Sequence, residues 1–428
     1  MIPLKSLEVP DVDRAVMRLT PEYLKSSERV LKCDLFQLSE EGGAYVAAEG
    51  SVFVQTFVTD VARLFLSDTA VFGLSSDSLL KPYPDGTIID FYPRLVRAVV
   101  PYHSEEGELI HYIVADGRTY SLRGQFFRAV TEDIGGRCAA VHRERIFLGG
   151  GNTIRYCAPF KSDEWEITQE ETGRIDLTSS GGEILALISF NGNLFCFREH
   201  EILRIRADAA ELNYRIERIP FDGGNVLANS VRDCGSHIVF FTTRGLAVCD
   251  GTSCKIVRPT SDFTFPSGVH TGAWMGRYYA AVSVEGEGPC IYVYDPTHKS
   301  EHFVRAEATA LAGGKDGLYY GHGTSLMRLT DRGFHENSAK EARLAVEIEI
   351  AGGDGSARYL DGVTVFGKGN FKVQFATEAG SCCVYARGNA FTPLPRVLRG
   401  TRLLLSIQSK EQGVAIKSCN LHFREVKA

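Results

Sequence analysis

The chain has 428 residues, 44% hydrophobic and 23% charged, and a net charge of −6. That is the composition of an ordinary soluble protein with room for one large domain and a smaller partner, and it argues against a general nucleic-acid binder, which would carry a basic surface. Forty-three glycines against four methionines favour a turn-rich β-protein, and no run approaches membrane-spanning length.

Residues 1–40 hold Pro3, Pro10 and Pro21 among mixed charges with little periodicity. A short helix over residues 12–24, interrupted at Pro21, is one reading. An extended arm along the domain, or reaching to a neighbouring copy, is the better one. The opening Met1-Ile-Pro-Leu-Lys has no apolar core, so no secretory leader is expected. From residue 43 the pattern is strands. Residues 43–55 read as strand, turn at Glu49-Gly50, strand, and residues 62–66 and 70–74 as a second pair. Residues 110–122 hinge on Asp116-Gly117, a pair that supplies the positive φ of a two-residue hairpin turn.

The plan is clearest at residues 137–156 (RCAAVHRERIFLGGGNTIRY) and 183–205 (EILALISFNGNLFCFREHEILRI). Each is strand, polar turn, strand, turn, strand, and Ala140 and Ala186 fall at matching places 46 residues apart. A period in the forties built only from short strands is the mark of a β-propeller, whose repeats are four-stranded blades. The plan continues through residues 238–251, 278–295 and 308–329. First-strand onsets near 47, 95, 139, 185, 236, 278 and 309 predict six or seven blades, since the arm or a C-terminal strand could complete one. Residues 331–342 read as a polar linker. Alternating apolar positions in residues 344–350, 360–366 and 371–375, with strands at 383–387, 402–407 and 415–423, predict a small antiparallel β-sandwich. The expected domains are therefore an arm at 1–40, a propeller at 41–338 and a sandwich at 339–428. The last carries a net +5 and the remainder −11, which suits contacts between unlike parts of adjacent copies.

Motifs with chemical content fail on context. His298-Lys-Ser-Glu-His302 has the spacing of an inverted zinc-protease pair, but it follows Asp295-Pro296 between strands, where an outer turn is expected instead of a helix. Residues 362–369 resemble a P-loop, yet the interior is a β-branched strand and Gly369 stands where a metal-binding hydroxyl is required. Ser78-Leu-Leu-Lys81 lacks partner motifs, and residues 149–152 read as a hairpin turn. Eleven scattered cysteines, among them Cys249 and Cys254 around four residues and adjacent Cys382-Cys383, read as reduced thiols of a reducing cytoplasm. No catalytic, metal or cofactor-binding residue is assigned, and no cofactor is expected.

Residues 145–165, with Arg145-Ile-Phe-Leu-Gly-Gly, a strand ending Ala158-Pro159 and then Asp163-Glu-Trp165, are followed by residues 182–199 and 237–251. Over about residues 136–257 this resembles the propeller of tail-hub and nozzle-type virion proteins of tailed bacteriophages. The resemblance implies a structural virion subunit without catalytic residues, made in the host cytoplasm and assembling as a ring around the DNA channel. Its partners would be further copies and other neck or tail proteins, and DNA would pass without sequence-specific contact. The alternative is a non-viral bacterial propeller scaffold or binding module. A propeller hydrolase or lyase is the third reading.

Overall fold

The computed structural model describes residues 12–19, 30–34, 36–38, 45–47 and 51–426, apart from residues 58, 69, 76–77, 84–86, 92–94, 116, 133–134, 168–170, 208–213, 286–287, 305, 315–316, 330–341, 351–356 and 412–413. These fall into two compact units. One takes in Val52–Thr297 and Ala306–Leu329; the other takes in Met1–Ser51, His298–Arg305 and Thr330–Ala428. In chain order β1 (Val12–Leu19), β2 (Val30–Asp34), β3 (Phe36–Leu38) and β4 (Tyr45–Ala47) belong to the second unit, and β5 (Ser51–Thr56) leads into the first.

The first unit is a run of antiparallel meanders. The first sheet is β6 (Arg63–Ser67), β7 (Ala70–Leu74), β8 (Leu79–Pro82) and β9 (Ile88–Phe91). The second is β10 (Val96–His103), β11 (Leu109–Ala115), β12 (Arg118–Arg123) and β13 (Phe126–Glu132). The third is β14 (Cys138–His142), β15 (Arg145–Gly150), β16 (Thr153–Tyr156) and β17 (Gly173–Asp176). The fourth is β18 (Ile184–Phe190), β19 (Asn193–Arg198), β20 (Ile202–Ala207) and β21 (Tyr214–Ile219). The fifth is β22 (Arg232–Asp233), β23 (Ile238–Phe241), β24 (Gly245–Cys249) and β25 (Cys254–Pro259). The sixth contributes β26 (Thr271–Trp274), β27 (Arg277–Val284) and β28 (Gly288–Asp295) to this unit, while β29 (Ser300–Val304) groups with the other. The seventh is β30 (Ala310–Gly314), β31 (Gly317–His322) and β32 (Ser325–Leu329), completed by β5 from the start of the unit.

The first strand of each sheet lies against the first strand of the next, from β6 through β10, β14, β18, β22 and β26 to β30, and β30 returns to β6. Seven sheets thus close a ring, the β-propeller that the repeat predicts. A blade buries its faces only against neighbours, and the core accordingly divides into wedges between blades. Phe72, Leu79 and Phe91 meet Ile113 and Leu122 between the first and second; Tyr112 and Val114 meet Ile146, Leu148 and Trp165 between the second and third. Phe197 and Ile202 meet Ile238, Phe240 and Ala247 between the fourth and fifth. Between the sixth and seventh, β26 and β30 approach backbone to backbone. A Cβ on Gly272 would stand 2.7 Å from the Gly313 nitrogen, and one on Gly313 would stand 2.4 Å from the Ala273 oxygen, so only glycine fits.

The second unit is a β-sandwich. β33 (Ala342–Glu349), β34 (Ala357–Lys368), β35 (Asn370–Thr377), β36 (Gly380–Arg387), β37 (Phe391–Arg399), β38 (Arg402–Ser409) and β39 (Ala415–Val426) supply most of it. One sheet has the order β3-β4-β39-β34-β37 with β1 also paired to β39; the other runs β29-β2-β33-β38-β35-β36. Val346, Ile348, Phe371, Phe375, Leu403 and Leu405 of one sheet face Leu360, Val363, Leu421 and Phe423 of the other in a single core.

Three expectations need correction. Residues 12–19, expected as arm or helix, form β1, which pairs residue for residue with β39 from Val12↔Val426 to Leu19↔Cys419. The edge of β39 satisfies its backbone groups, and Leu19 is buried in the sandwich core. Residues 43–55 are not one hairpin: β4 pairs with β3 and β39, whereas β5 joins the seventh blade. The ring therefore begins at Arg63 and not near residue 47. The Ala140–Ala186 match also slips by two residues: counted from the last pair before the hairpin turn, His142↔Arg145 or Phe190↔Asn193, Ala140 lies two positions back and pairs with Phe147, whereas Ala186 lies four positions back and pairs with Phe197.

Candidate functional site

The motifs weighed in the sequence lie apart from one another. His298 follows β28 in a turn, whereas His302 is buried within β29, so the second histidine is on a strand and not on the outer turn expected for both. Residues 362–368 run inside β34. Ser78 closes a turn on Ser75, and Lys81 is buried with its ammonium 4.8 Å from the centre of the Tyr83 ring. Gly149 and Gly150 end β15, and Gly151-Asn152 form the β15–β16 turn, where Asn152 accepts a 2.6 Å hydrogen bond from the buried Arg198. Asp163-Glu-Trp165 packs Trp165 between blades, and its indole donates to the Ser162 carbonyl at 2.6 Å. Of the described cysteines, Cys383 is exposed, Cys254 and Cys382 are half-buried and the others are buried; all are free thiols.

A different group of residues converges. Arg63, Arg97, Arg137 and Arg232 stand at, or one residue from, the starts of β6, β10, β14 and β22, and all four line one cavity of about 260 Å³ in the ring. Equivalent starts of the repeat deliver these side chains to one mouth of the channel. The inner strands then continue as Leu66, Ala98, Val100, Ala139 and Ile188, so apolar walls follow directly behind the cations.

Each arginine is held differently. Arg63 reaches from the first blade to the loop before the fifth, where its Nη2 donates to Asn229 Oδ1 at 2.7 Å. The same nitrogen lies 3.5 Å from the Arg97 carbonyl, and the guanidinium carbon sits 4.8 Å from the centre of the Phe65 ring. Arg232 donates to the carbonyls of Thr271 at 3.1 Å and Val231 at 2.7 Å. Asn229 itself is fixed at φ +63°, with its carbonyl accepting from the Thr271 hydroxyl at 2.8 Å. Arg137 is paired with Glu183, which neutralises it.

The electrostatics follow from this crowding. Burial, and then the charges of Arg232 and Arg97, push Arg63 down to about 10. It remains cationic at neutral pH, but in a field of like charge. Burial also lowers Arg232. His270, ahead of β26, is lowered by burial and by the charges of Arg63 and Arg232, against a raising hydrogen bond to the Ser267 carbonyl, so it adds no charge at neutral pH. Among the described residues no carboxylate pairs with Arg63 or Arg232. Such a mouth suits an anion, and guanidinium forks suit carboxylate or phosphate geometry. Sequence reading missed it because the arginines fall one per repeat, and the only signal is a shared position at the start of each inner strand.

No protein-family model and no curated protein matches the chain. Solved structures do. PorZ, a surface component of the type-IX secretion system of Porphyromonas gingivalis, is 11% identical with a TM-score of 0.45, over 71% of this chain and 43% of that one. The extracellular domain of BT4673 from B. thetaiotaomicron is 11% identical with a TM-score of 0.47, over 90% of this chain and 62% of that one. The N-terminal domain of Nup159 is 11% identical with a TM-score of 0.43, over 70% and 97%. This chain thus spans less than two thirds of the first two. The fold is a β-propeller with a β-sandwich, and it is read from the sheets themselves. No helix among the described residues is long and apolar enough to cross a membrane.

Proposed function

We propose that the chain is a propeller scaffold whose channel mouth seats an anionic group of a binding partner. The observation that carries this is the gathering of Arg63, Arg97 and Arg232 at one mouth, with no carboxylate opposite Arg63 or Arg232 among the described residues. Arg63 and Arg232 are half-buried; holding such cations partly out of water without an anion is costly, and a partner's anion relieves that cost only when bound. Calorimetric titration with inorganic phosphate and with acetate tests the reading. Saturable binding that weakens steeply from 20 mM to 500 mM salt, and falls at least tenfold in Arg97→Gln and Arg232→Gln, is expected. If neither anion binds the folded protein at low salt, the reading is wrong.

A narrower reading makes this scaffold a ring-forming subunit of a phage tail or neck. Its support is the resemblance over residues 136–257, which occupy the third to fifth blades. Mass spectrometry of purified virions from a producing strain tests it: the chain should be present in a fixed small copy number, and its absence from particles would remove this reading while leaving the scaffold standing.

A further inference from the structure

We propose that the anion is a carboxylate carried on a short apolar tail, with the carboxylate between Arg63, Arg97 and Arg232 and the tail lying in the channel. This rests on the anion-seat reading above and narrows it to one ligand class. The chemistry of the cavity is polarised along its axis. Cations occupy the mouth, and Leu66, Val100 and Ile188 line the wall further in with Ala98 and Ala139 between. Leu66 lies three positions along the strand from Arg63, and Val100 three from Arg97, which at about 3.3 Å per strand residue sets roughly 10 Å of apolar wall behind the charges. A ligand charged along its whole length, such as an oligophosphate, would press its inner charges against that wall without hydrogen-bond partners. A ligand charged at one end only satisfies both parts.

The mouth already holds one side-chain acceptor oxygen. Arg63 already crosses the channel to donate to a neutral amide oxygen, Asn229 Oδ1, at 2.7 Å. A carboxylate is a stronger acceptor for the same fork. Glu183 occupies Arg137, so among the described residues the cations of the mouth with no carboxylate beside them are Arg63 and Arg232. A fatty acid and the free C-terminus of a protein ending in apolar residues share this chemistry.

The test is a calorimetric series on the intact chain with acetate, butanoate, hexanoate and octanoate, beside N-acetylated trileucine as free acid and as amide, with inorganic phosphate as the tailless control. Each added methylene should tighten binding about fourfold until the tail fills the channel. The amide should not bind, and Arg97→Gln and Arg232→Gln should weaken every carboxylate at least tenfold. Ala139→Phe should block octanoate while sparing acetate and phosphate. The acylated tripeptide binding tenfold tighter than octanoate assigns the seat to a protein C-terminus, and the reverse assigns it to a fatty acid. Binding of phosphate and acetate without any gain along the series would overturn the tail and leave the anion seat. No binding of any anion would overturn both. The chain-length series on the unaltered protein decides the matter even where a variant does not fold.

Discussion

Arg198→Met should be among the most damaging single changes in the propeller. The guanidinium is fully buried on β19 and donates to the Gly182 carbonyl at 2.8 Å, Ser179 Oγ at 2.6 Å and Asn152 Oδ1 at 2.6 Å, and it pairs with the buried Glu201 at 3.2 Å. The bond to Asn152 ties the fourth blade to a turn of the third. Removing one partner of a buried ion pair costs about 3–5 kcal/mol, because the remaining charge is left in a poorly polarisable site. Here Glu201 keeps a hydrogen bond from Ser179 and an ion pair with the more exposed Arg218 at 3.6 Å, which points to the lower end, about 3 kcal/mol. The double change Arg198→Met with Glu201→Leu removes the orphan and should recover more than half of the loss. Both tryptophans, Trp165 and Trp274, lie in the propeller, so tryptophan fluorescence during urea unfolding reports that unit. A loss under about 1 kcal/mol at unchanged slope, or a double variant no better than the single, would refute the reasoning.

Other consequences are more local. His111 and His142 are buried and both pushed down to about 4, first by burial and then by the charges of Lys81 and Arg143 respectively. Since the unfolded chain takes up these protons near pH 6.5, propeller stability should be full above that pH and fall progressively towards pH 4; a urea midpoint that stays flat over this window would contradict the sign. The β14–β15 turn places Arg143 at φ +47° and Glu144 at φ +56°, whereas the matching β18–β19 turn has Asn191-Gly192. Replacing Arg143 by Asn and Glu144 by Gly should raise stability by about 1 kcal/mol in the same assay. With a thiol reagent under native conditions, Cys383 should be the fastest of the described cysteines, and Cys383→Ser should remove that phase.

The repeat was legible because each blade is local: β14 and β15, or β18 and β19, are adjacent in sequence, alternate cleanly and are joined by polar turns. Pairings across the chain were not. Residues 45–47 and 51–56 look alike as strands, and nothing in their alternation says that one pairs with β39 and the other with β32, far along the sequence. β1 was hidden for the same reason, since its partner β39 stands at the other end of the sequence. The arginines of the channel mouth were invisible as a group. Their spacing follows loop lengths between blades, which vary from one repeat to the next, so only the closed ring brings Arg63 within reach of Asn229.

That closure depends on a seam without a covalent link, and the seam can be tested. β5 precedes the first blade in sequence but pairs with β32 in the last, and the chain then passes through Phe57 to β6. The Phe57 amide donates to the Thr324 carbonyl at 2.7 Å. Its ring packs among Leu64, Val71 and Leu80 of the first blade and Ala310 and Leu326 of the last, with Gly73 leaving it room. Phe240 is equally buried but sits between consecutive blades, its ring centre 5.1 Å from that of Phe197. Phe57→Ala and Phe240→Ala should therefore cost similar amounts, about 3–5 kcal/mol each. They should differ in how the structure opens. At the seam, losing the ring loosens the clasp and frees the β32 edge, so native-state amide exchange in β5 and β32 should quicken at least tenfold more in Phe57→Ala than in Phe240→Ala. In Phe240→Ala the added exchange should centre on β19, β23 and β24, beside the cavity. If both variants instead raise exchange evenly around the ring, the propeller opens as one cooperative body and β5 is merely its last strand, not its clasp.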